Sequence, residues 1–249
     1  MTAPGWLTAR PIAHRGRHAA ETGAFENTIA AAEAAIAGGY GIECDIQGTA
    51  DGEAVVFHDH VLDRLTPERG AVRDRRTDEL TALPIGGGGD TIPTLAAFLD
   101  RIGGRVPLVI EVKSRFDGDE RPARRMVEVL AGRSAPVAAK SFDPAIVSLL
   151  RRIAPSLPRG IVAQARYEGG EWDALDEARK RDMANLLHWS DTRPDFLSWR
   201  HLDLPHAAPS LARLLAPAPV MTWTVRSRDE AVRALVHADQ IVFEGFIPA

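Results

Sequence analysis

The chain reads as an α/β protein, a closed parallel (β/α)8 barrel forming one catalytic domain over residues 1–249. Three observations predict it. Apolar, strand-like runs alternate with helix-like segments along the whole length. The runs that qualify as parallel strands are 10–14, 41–46, 106–112, 137–141, 159–163, one within 184–204, 219–225 and 240–243. Titratable residues stand where several of them end: His14-Arg15-Gly16 after Pro-Ile-Ala, Glu43-Cys44-Asp45 after Tyr-Gly-Ile, and Glu111 and Lys113 closing Leu-Val-Ile-Glu-Val-Lys. A parallel barrel carries its chemistry at those ends.

The elements follow in order. After the strand at 10–14, Asn27 can cap a helix to about Ala37 that places Ile29, Ala32 and Ile36 on one face, and Gly38-Gly39 ends it. Between the second strand and a short return strand at 54–58 lies Thr49-Ala-Asp51-Gly52, whose Asp-Gly signals a hairpin. Residues 60–92, polar, arginine-rich and containing Gly86 to Gly89, read as a loop excursion over the barrel mouth. Thr94 caps the next helix, Leu95 to Ile102, and 120–131 is helical. Asp143-Pro144 is an N-cap with proline at the first helical position, opening a helix over 145–152. A helix is expected at 171–181, two weak strands at most within 184–206, and a helix at 209–215. Ser227-Arg-Asp-Glu230 is a capping box for the last helix, 229–237. A doubly wound open sheet is the competing architecture, but no Gly-x-Gly-x-x-Gly follows the first strand and no Walker motif occurs.

Composition narrows the function. A hydrophobic content of 45% supplies a large core, and a net charge of −4 gives no support for a nucleic-acid partner. The basic runs at 73–76 and 121–125 are interleaved with acids or lie on helices, and read as solvated faces. Only Lys113, Lys140 and Lys180 are lysine among 30 basic residues. The single cysteine, Cys44, excludes an internal disulfide or a cysteine metal cluster and reads as a small buried hydrophobe. No signal peptide is visible and no apolar stretch approaches the ~20 residues of a membrane helix, so a cytoplasmic protein without stable membrane insertion is expected. Oligomeric state has no signature in the sequence.

Glu43 and Asp45 are two apart on one strand and share a face, as do Glu111 and Lys113. Carboxylates aimed together repel unless something positive lies between them. A hard divalent cation satisfies that need, with Glu111 as a third oxygen donor; an internal salt-bridge layer at the barrel rim satisfies it equally. His14 and His58, the latter ending Ala-Val-Val-Phe, suit a general acid and a general base. Arg15 and Lys113 suit phosphate oxygens, and Gly16 allows close backbone approach. Trp223 ends a late strand and either borders the mouth or packs in the core. The remaining histidines read as surface or core residues.

The ordered set of pieces resembles the glycerophosphodiester phosphodiesterase family. Its N-terminal part is His14-Arg-Gly, Glu26-Asn27-Thr28, Glu43-x-Asp45, Thr49-x-Asp51-Gly52, Val55-Val56-x-His58-Asp59 and Leu62-x-Arg64-x-Thr66. Ile92-Pro-Thr-Leu95, Glu111-Val-Lys113, Ser141-Phe142 and Trp223-Thr-Val225 continue it nearly to the end. The resemblance implies a TIM barrel, one divalent cation (Mg²⁺ or Ca²⁺, with Mn²⁺ also compatible), and hydrolysis of small glycerophosphodiesters to sn-glycerol 3-phosphate and an alcohol. It implies Glu43, Asp45 and Glu111 as metal ligands, His14 and His58 as the acid/base pair, Arg15 and Lys113 on the phosphate, and Trp223 beside the glycerol. The chain departs from the pattern at four places: a longer, charged loop between Gly16 and Glu26, Phe25 for a proline, Arg226 for an asparagine, and Ile-Val-Phe-Glu-Gly for a Thr-Asp ending. These border the mouth and bear on the leaving alcohol. A related activity on lysophospholipids would need an apolar groove there, with Trp189, Phe196 and Trp199 as its material. A non-catalytic phosphate-binding barrel is the other alternative.

Overall fold

Eight parallel strands close on themselves in the computed structural model, which describes residues 3–19, 23–87 and 89–248. In chain order the first half comprises β1 (Ile12–Ala13), α1 (Ile29–Ala37), β2 (Gly41–Gly48), β3 (Ala54–Val56), α2 (Thr77–Thr81), α3 (Leu95–Ile102), β4 (Leu108–Val112), α4 (Arg121–Leu130) and β5 (Val137–Ser141). The second half comprises α5 (Pro144–Ile153), β6 (Arg159–Ala163), α6 (Glu177–Ala184), α7 (Trp189–Thr192), β7 (Phe196–Arg200), α8 (Ala207–Leu215), β8 (Val220–Val225), α9 (Arg228–Leu235) and β9 (Gln240–Phe243). The order β1-β9-β8-β7-β6-β5-β4-β2 closes where Ile12 and Ala13 of β1 face Gly41 and Ile42 of β2. Strand β3 lies outside this ring, antiparallel to β2, with Ile46 opposite Val56. The predicted (β/α)8 barrel with a hairpin after the second strand is therefore the observed fold.

Alternation along each strand divides the core in two. Ile42, Cys44 and Ile46 point outward and pack with Phe98, Leu99, Met126 and Leu149 of the surrounding helices. Inside the barrel, Ile12, Val109, Ala138, Phe196, Met221 and Val242 pack into an apolar floor against Leu7. A Cβ at Gly160 would run into the Phe196 ring, so glycine there makes room for the floor's largest side chain. The next inward positions toward the strand C-termini are Glu43, Asp45, Glu111 and Lys140, all nearly inaccessible. A dry floor beneath a ring of charges directs the chemistry to the C-terminal mouth.

The helix starts obey the expected capping logic with two corrections. The cap of α1 is Thr28, whose hydroxyl accepts from the Ala31 amide, whereas Asn27 takes a left-handed backbone (φ 60°) and turns its amide to the barrel. The helix expected at 171–181 begins at Glu177 instead, capped by Asp176, which accepts from the Arg179 amide. Gly169 and Gly170 both have positive φ and allow only a 3-10 turn at Gly170–Trp172 before it.

The excursion over 60–92 holds more than polar loop. Phe57, Leu62, Val72, Leu80, Ile85 and Ile92 form a small core of their own, with Phe25 packed on it. That contact anchors the segment bearing Glu26 and Asn27. The basic runs are paired with acids: Arg73 with Asp117, Arg124 with Glu120 and Arg125 with Glu53. No helix among the described residues is long and apolar enough to cross a membrane.

Candidate active site

Registry between neighbouring strands builds the site. Asp45 of β2 lies opposite Glu111 of β4, and Glu111 lies opposite Lys140 of β5. Ligand atoms of Glu43, Asp45 and Glu111 fall within 4.8 Å of one another. Three buried carboxylates with oxygen donors at that spacing are a set that could hold a hard divalent ion. They are also the salt-bridge layer that the sequence allowed. Lys140 Nζ lies 3.0 Å from Glu43 Oε1 and 3.2 Å from Glu111 Oε2, and Lys113 Nζ lies 3.1 Å from Glu111 Oε1. The Arg15 amide donates to Glu43 Oε2 at 3.1 Å. Of the two Asp45 oxygens, Oδ1 has Lys113 Nζ at 3.9 Å. Burial opposes charge on Asp45, but His58, Arg15 and Lys113 outweigh it and hold the carboxyl well below the usual range. Glu111 is likewise held low against its burial by Lys113 and Lys140.

The loop after β1 is locked to this layer. Arg15 and Gly16 both have positive φ, and a Cβ at Gly16 would sit 2.8 Å from the Ala31 carbonyl carbon. Only glycine lets the turn rest on the first turn of α1. Asn27 clasps Asp45 from both sides: its Nδ2 donates to Oδ2 at 3.0 Å, and its Oδ1 accepts from the Asp45 amide at 3.2 Å. The Arg15 guanidinium pairs with Glu26 at 2.7 Å; its Nε is 3.3 Å from Asp45 Oδ2 yet not aligned for a hydrogen bond.

Both histidines are held in the same manner. His14 Nδ1 lies 2.6 Å from Glu244 Oε2, and His58 Nδ1 lies 2.7 Å from Asp59 Oδ1. Each carboxylate favours the tautomer protonated at Nδ1 and frees Nε2. At His58 the free nitrogen accepts from Lys113 Nζ at 3.2 Å, which requires that tautomer because an ammonium has no acceptor. The carboxylates are themselves fixed. Arg226 donates Nε to Glu244 Oε1 at 2.9 Å, and Arg64 reaches both Asp59 and Glu26. Burial works against the charge on Glu244, but His14, His18 and Arg226 hold it well below the carboxylate range. Two of the departures noted in the sequence, Arg226 and the Phe-Glu-Gly ending, thus meet each other as an ion pair behind His14.

A cavity of about 920 Å³ opens over these groups, lined by His14, Arg15, Asp45, His58, Glu111 and Lys113 at its base. Trp223 forms one wall; its Nε1 donates to the Ser198 carbonyl at 2.8 Å, and Phe142 meets it edge-on at 5.5 Å between centroids. The outer rim carries Arg166, Glu168, Glu171, Arg200, Asp203 and Arg226. Trp189, Phe196 and Trp199 do not form the apolar groove that an activity on lysophospholipids would need. Phe196 lies in the barrel floor, Trp199 is fully buried under α8 and stacked on His206, and Trp189 packs beside it on the outer face.

All eight residues singled out from sequence come together at this mouth. Four supporting groups carried no assigned role there: Lys140, Glu244, Asp59 and Asn27. Lys140 had a legible signal, an isolated lysine in the apolar run Val-Ala-Ala-Lys of a lysine-poor chain. His18 and His201, read as surface or core, lie near the site: His18 Nε2 is 3.8 Å from Glu244, and His201 lines the cavity.

A family model described as the glycerophosphoryl diester phosphodiesterase family matches residues 14–238. The chain belongs to that family. YhdW of Bacillus subtilis is 34% identical over 196 residues, 73% of this chain and 76% of that protein. A glycerophosphodiester phosphodiesterase of Caldanaerobacter subterraneus is 35% identical over 164 residues, 61% of this chain and 66% of that enzyme. A phosphodiesterase from Oleispira antarctica, solved with its product sn-glycerol-3-phosphate, matches at a TM-score of 0.77 and 23% identity, covering 97% of this chain and 95% of that one. That last likeness is one of fold.

Proposed function

We propose that this chain hydrolyses small glycerophosphodiesters to sn-glycerol 3-phosphate and an alcohol, assisted by a divalent cation on Glu43, Asp45 and Glu111. The observation that carries the reading is the convergence on one cavity of Asp45 and Glu111, with Glu43 buried beside them, two carboxylate-tethered histidines, Arg15 and Lys113, in a member of this family. The product held by the Oleispira relative supports the glycerophosphate half of the substrate. The charged rim supports a polar leaving alcohol rather than an acyl chain.

When bound, the ion, Mg²⁺, Ca²⁺ or Mn²⁺, supplies positive charge against the phosphoryl oxygens as negative charge builds there. The chain's own groups do the rest. Arg15, whose Nε is left without a hydrogen bond, and Lys113, at the cavity base, bind the phosphate. One of His14 and His58 removes a proton at Nε2 from the nucleophile, either water or the neighbouring substrate hydroxyl. The other protonates the leaving oxygen; where the substrate hydroxyl attacks, water then opens the resulting cyclic phosphate with the two histidine roles exchanged, giving the monoester. Glu244 and Asp59 stabilise the imidazolium that forms on each. Trp223 presents an apolar wall to the glycerol carbons.

The test is an enzyme-coupled assay for glycerol 3-phosphate over a panel of glycerophosphodiesters with a divalent ion restored. Turnover is expected for the wild type, and a loss of about 10²–10⁴ in kcat for His14→Ala and for His58→Ala. Wild-type turnover in either variant would remove that histidine from the mechanism. A cytoplasmic site of action belongs to the same proposal, checked by fractionating cells that carry the tagged chain.

A further inference from the structure

Lys140 is a buried cation within the carboxylate layer that the proposed mechanism does not use. It is 2% exposed, sits on β5 directly opposite Glu111, and reaches inward between two of the three carboxylates, 3.0 Å from Glu43 and 3.2 Å from Glu111. Its ammonium therefore engages oxygens that an ion on the triad also needs. Lys113 and Arg15 line the same cavity as Lys140, but only Lys140 of the three brings its side chain within 3.2 Å of two of the triad's carboxylates. The three acids are balanced within the chain by Lys140, Lys113 and Arg15, so the layer folds without needing an ion to offset its charge.

We propose that Lys140 is a resident counter-cation of the carboxylate triad, which competes with the divalent ion and keeps it weakly held and exchangeable. The inference rests on the reading that Glu43, Asp45 and Glu111 hold that ion. Two like charges facing the same oxygens repel, and inside a protein this repulsion is stronger than in water. Removing the lysine leaves Glu43 and Glu111 undercompensated, so the protein without metal loses stability while its affinity for a divalent ion rises.

The experiment titrates Mn²⁺ into chelator-stripped wild type, Lys140→Gln and Lys140→Arg, following free Mn²⁺ by electron paramagnetic resonance. Lys140→Gln should bind at least about tenfold more tightly than wild type, a gain of about 1.4 kcal/mol, whereas Lys140→Arg, which keeps the charge, should stay within about threefold. The melting temperature of Lys140→Gln should lie below that of wild type in chelator and recover with added Mn²⁺ more steeply. Equal or weaker binding by Lys140→Gln would overturn the proposal while leaving the metal reading intact. Absence of Mn²⁺ binding in all three proteins would instead overturn the metal reading, and the proposal with it. If Lys140→Gln folds only with metal present, its unfolding midpoint against free Mn²⁺ reports the affinity; failure to fold at saturating Mn²⁺ contradicts the proposal.

Discussion

Replacing Asn27 by alanine should be among the most damaging single changes in the chain, although Asn27 is not placed among the reacting groups. Its side chain is 1% exposed and makes two hydrogen bonds to Asp45, one to the carboxylate and one from the amide. Deletion leaves the buried Asp45 N–H unpaired, at a cost of about 1–3 kcal/mol, and removes a donor from a charged acceptor, about 1.5–3 kcal/mol. The φ of 60° adds about 1 kcal/mol, because alanine tolerates the left-handed region less well than asparagine. The sum, about 3.5–7 kcal/mol, is a large share of the roughly 5–15 kcal/mol available to a folded domain. It corresponds to a fall of about 7–28 °C in melting temperature for a chain of this size. Differential scanning calorimetry in chelator measures it without interference from metal. Asn27→Gly loses the same hydrogen bonds but not the backbone fit, so it should melt above Asn27→Ala. Melting of Asn27→Ala within about 2 °C of wild type would refute the clasp, and a glycine variant no more stable than the alanine variant would refute the strain.

Three further outcomes follow from the geometry. Glu244→Gln removes the charge behind His14 while keeping an acceptor oxygen, and should lower kcat at least about tenfold with KM nearly unchanged; an unaltered kcat shows that the carboxylate plays no part. Burial pushes His60 and His188 down to about 4, with Arg115 and Lys113 adding to the effect at His60. Both stay neutral in the fold while the unfolded chain gains protons below about 6.5, so stability falls as pH drops from about 6.5 toward 4. Asp59 and Glu244, held below the carboxylate range, add their loss only at lower pH, below the unfolded carboxylate value of about 4. Urea midpoints of a His60→Gln/His188→Gln double variant should therefore be flatter between pH 6.5 and 4, and a wild-type slope there disproves the assignment. Dialysis against chelator should abolish turnover while circular dichroism stays native, because Lys140, Lys113 and Arg15 neutralise the triad; unfolding in chelator shows that they do not.

The barrel was legible because its signals are local. Several apolar runs end in titratable residues, and two-residue spacing alone places Glu43 with Asp45 and Glu111 with Lys113. At α1 the cap was legible only to within a residue: Asn27 and Thr28 are both good caps, and the demand of Asp45 for a partner decides between them. What was illegible is long-range. Glu244 meets His14 across 230 positions of sequence, and Lys140 meets Glu43 only because β5 joins β4 in a register that brings Lys140 level with Glu111. Phe196 and Trp199 illustrate the same limit. Their aromatic character favoured core packing without saying which core, and strand alternation sent one to the barrel floor and the other to the outer packing layer.

The central claim concerns which bond the chain breaks. Phosphorus-31 NMR of glycerophosphocholine incubated with metal-restored protein reads it directly. The account predicts that the diester signal is replaced by that of sn-glycerol 3-phosphate, with no phosphocholine formed. Phosphocholine as the product, or a diester signal unchanged in the presence of folded, metal-loaded protein, would contradict it.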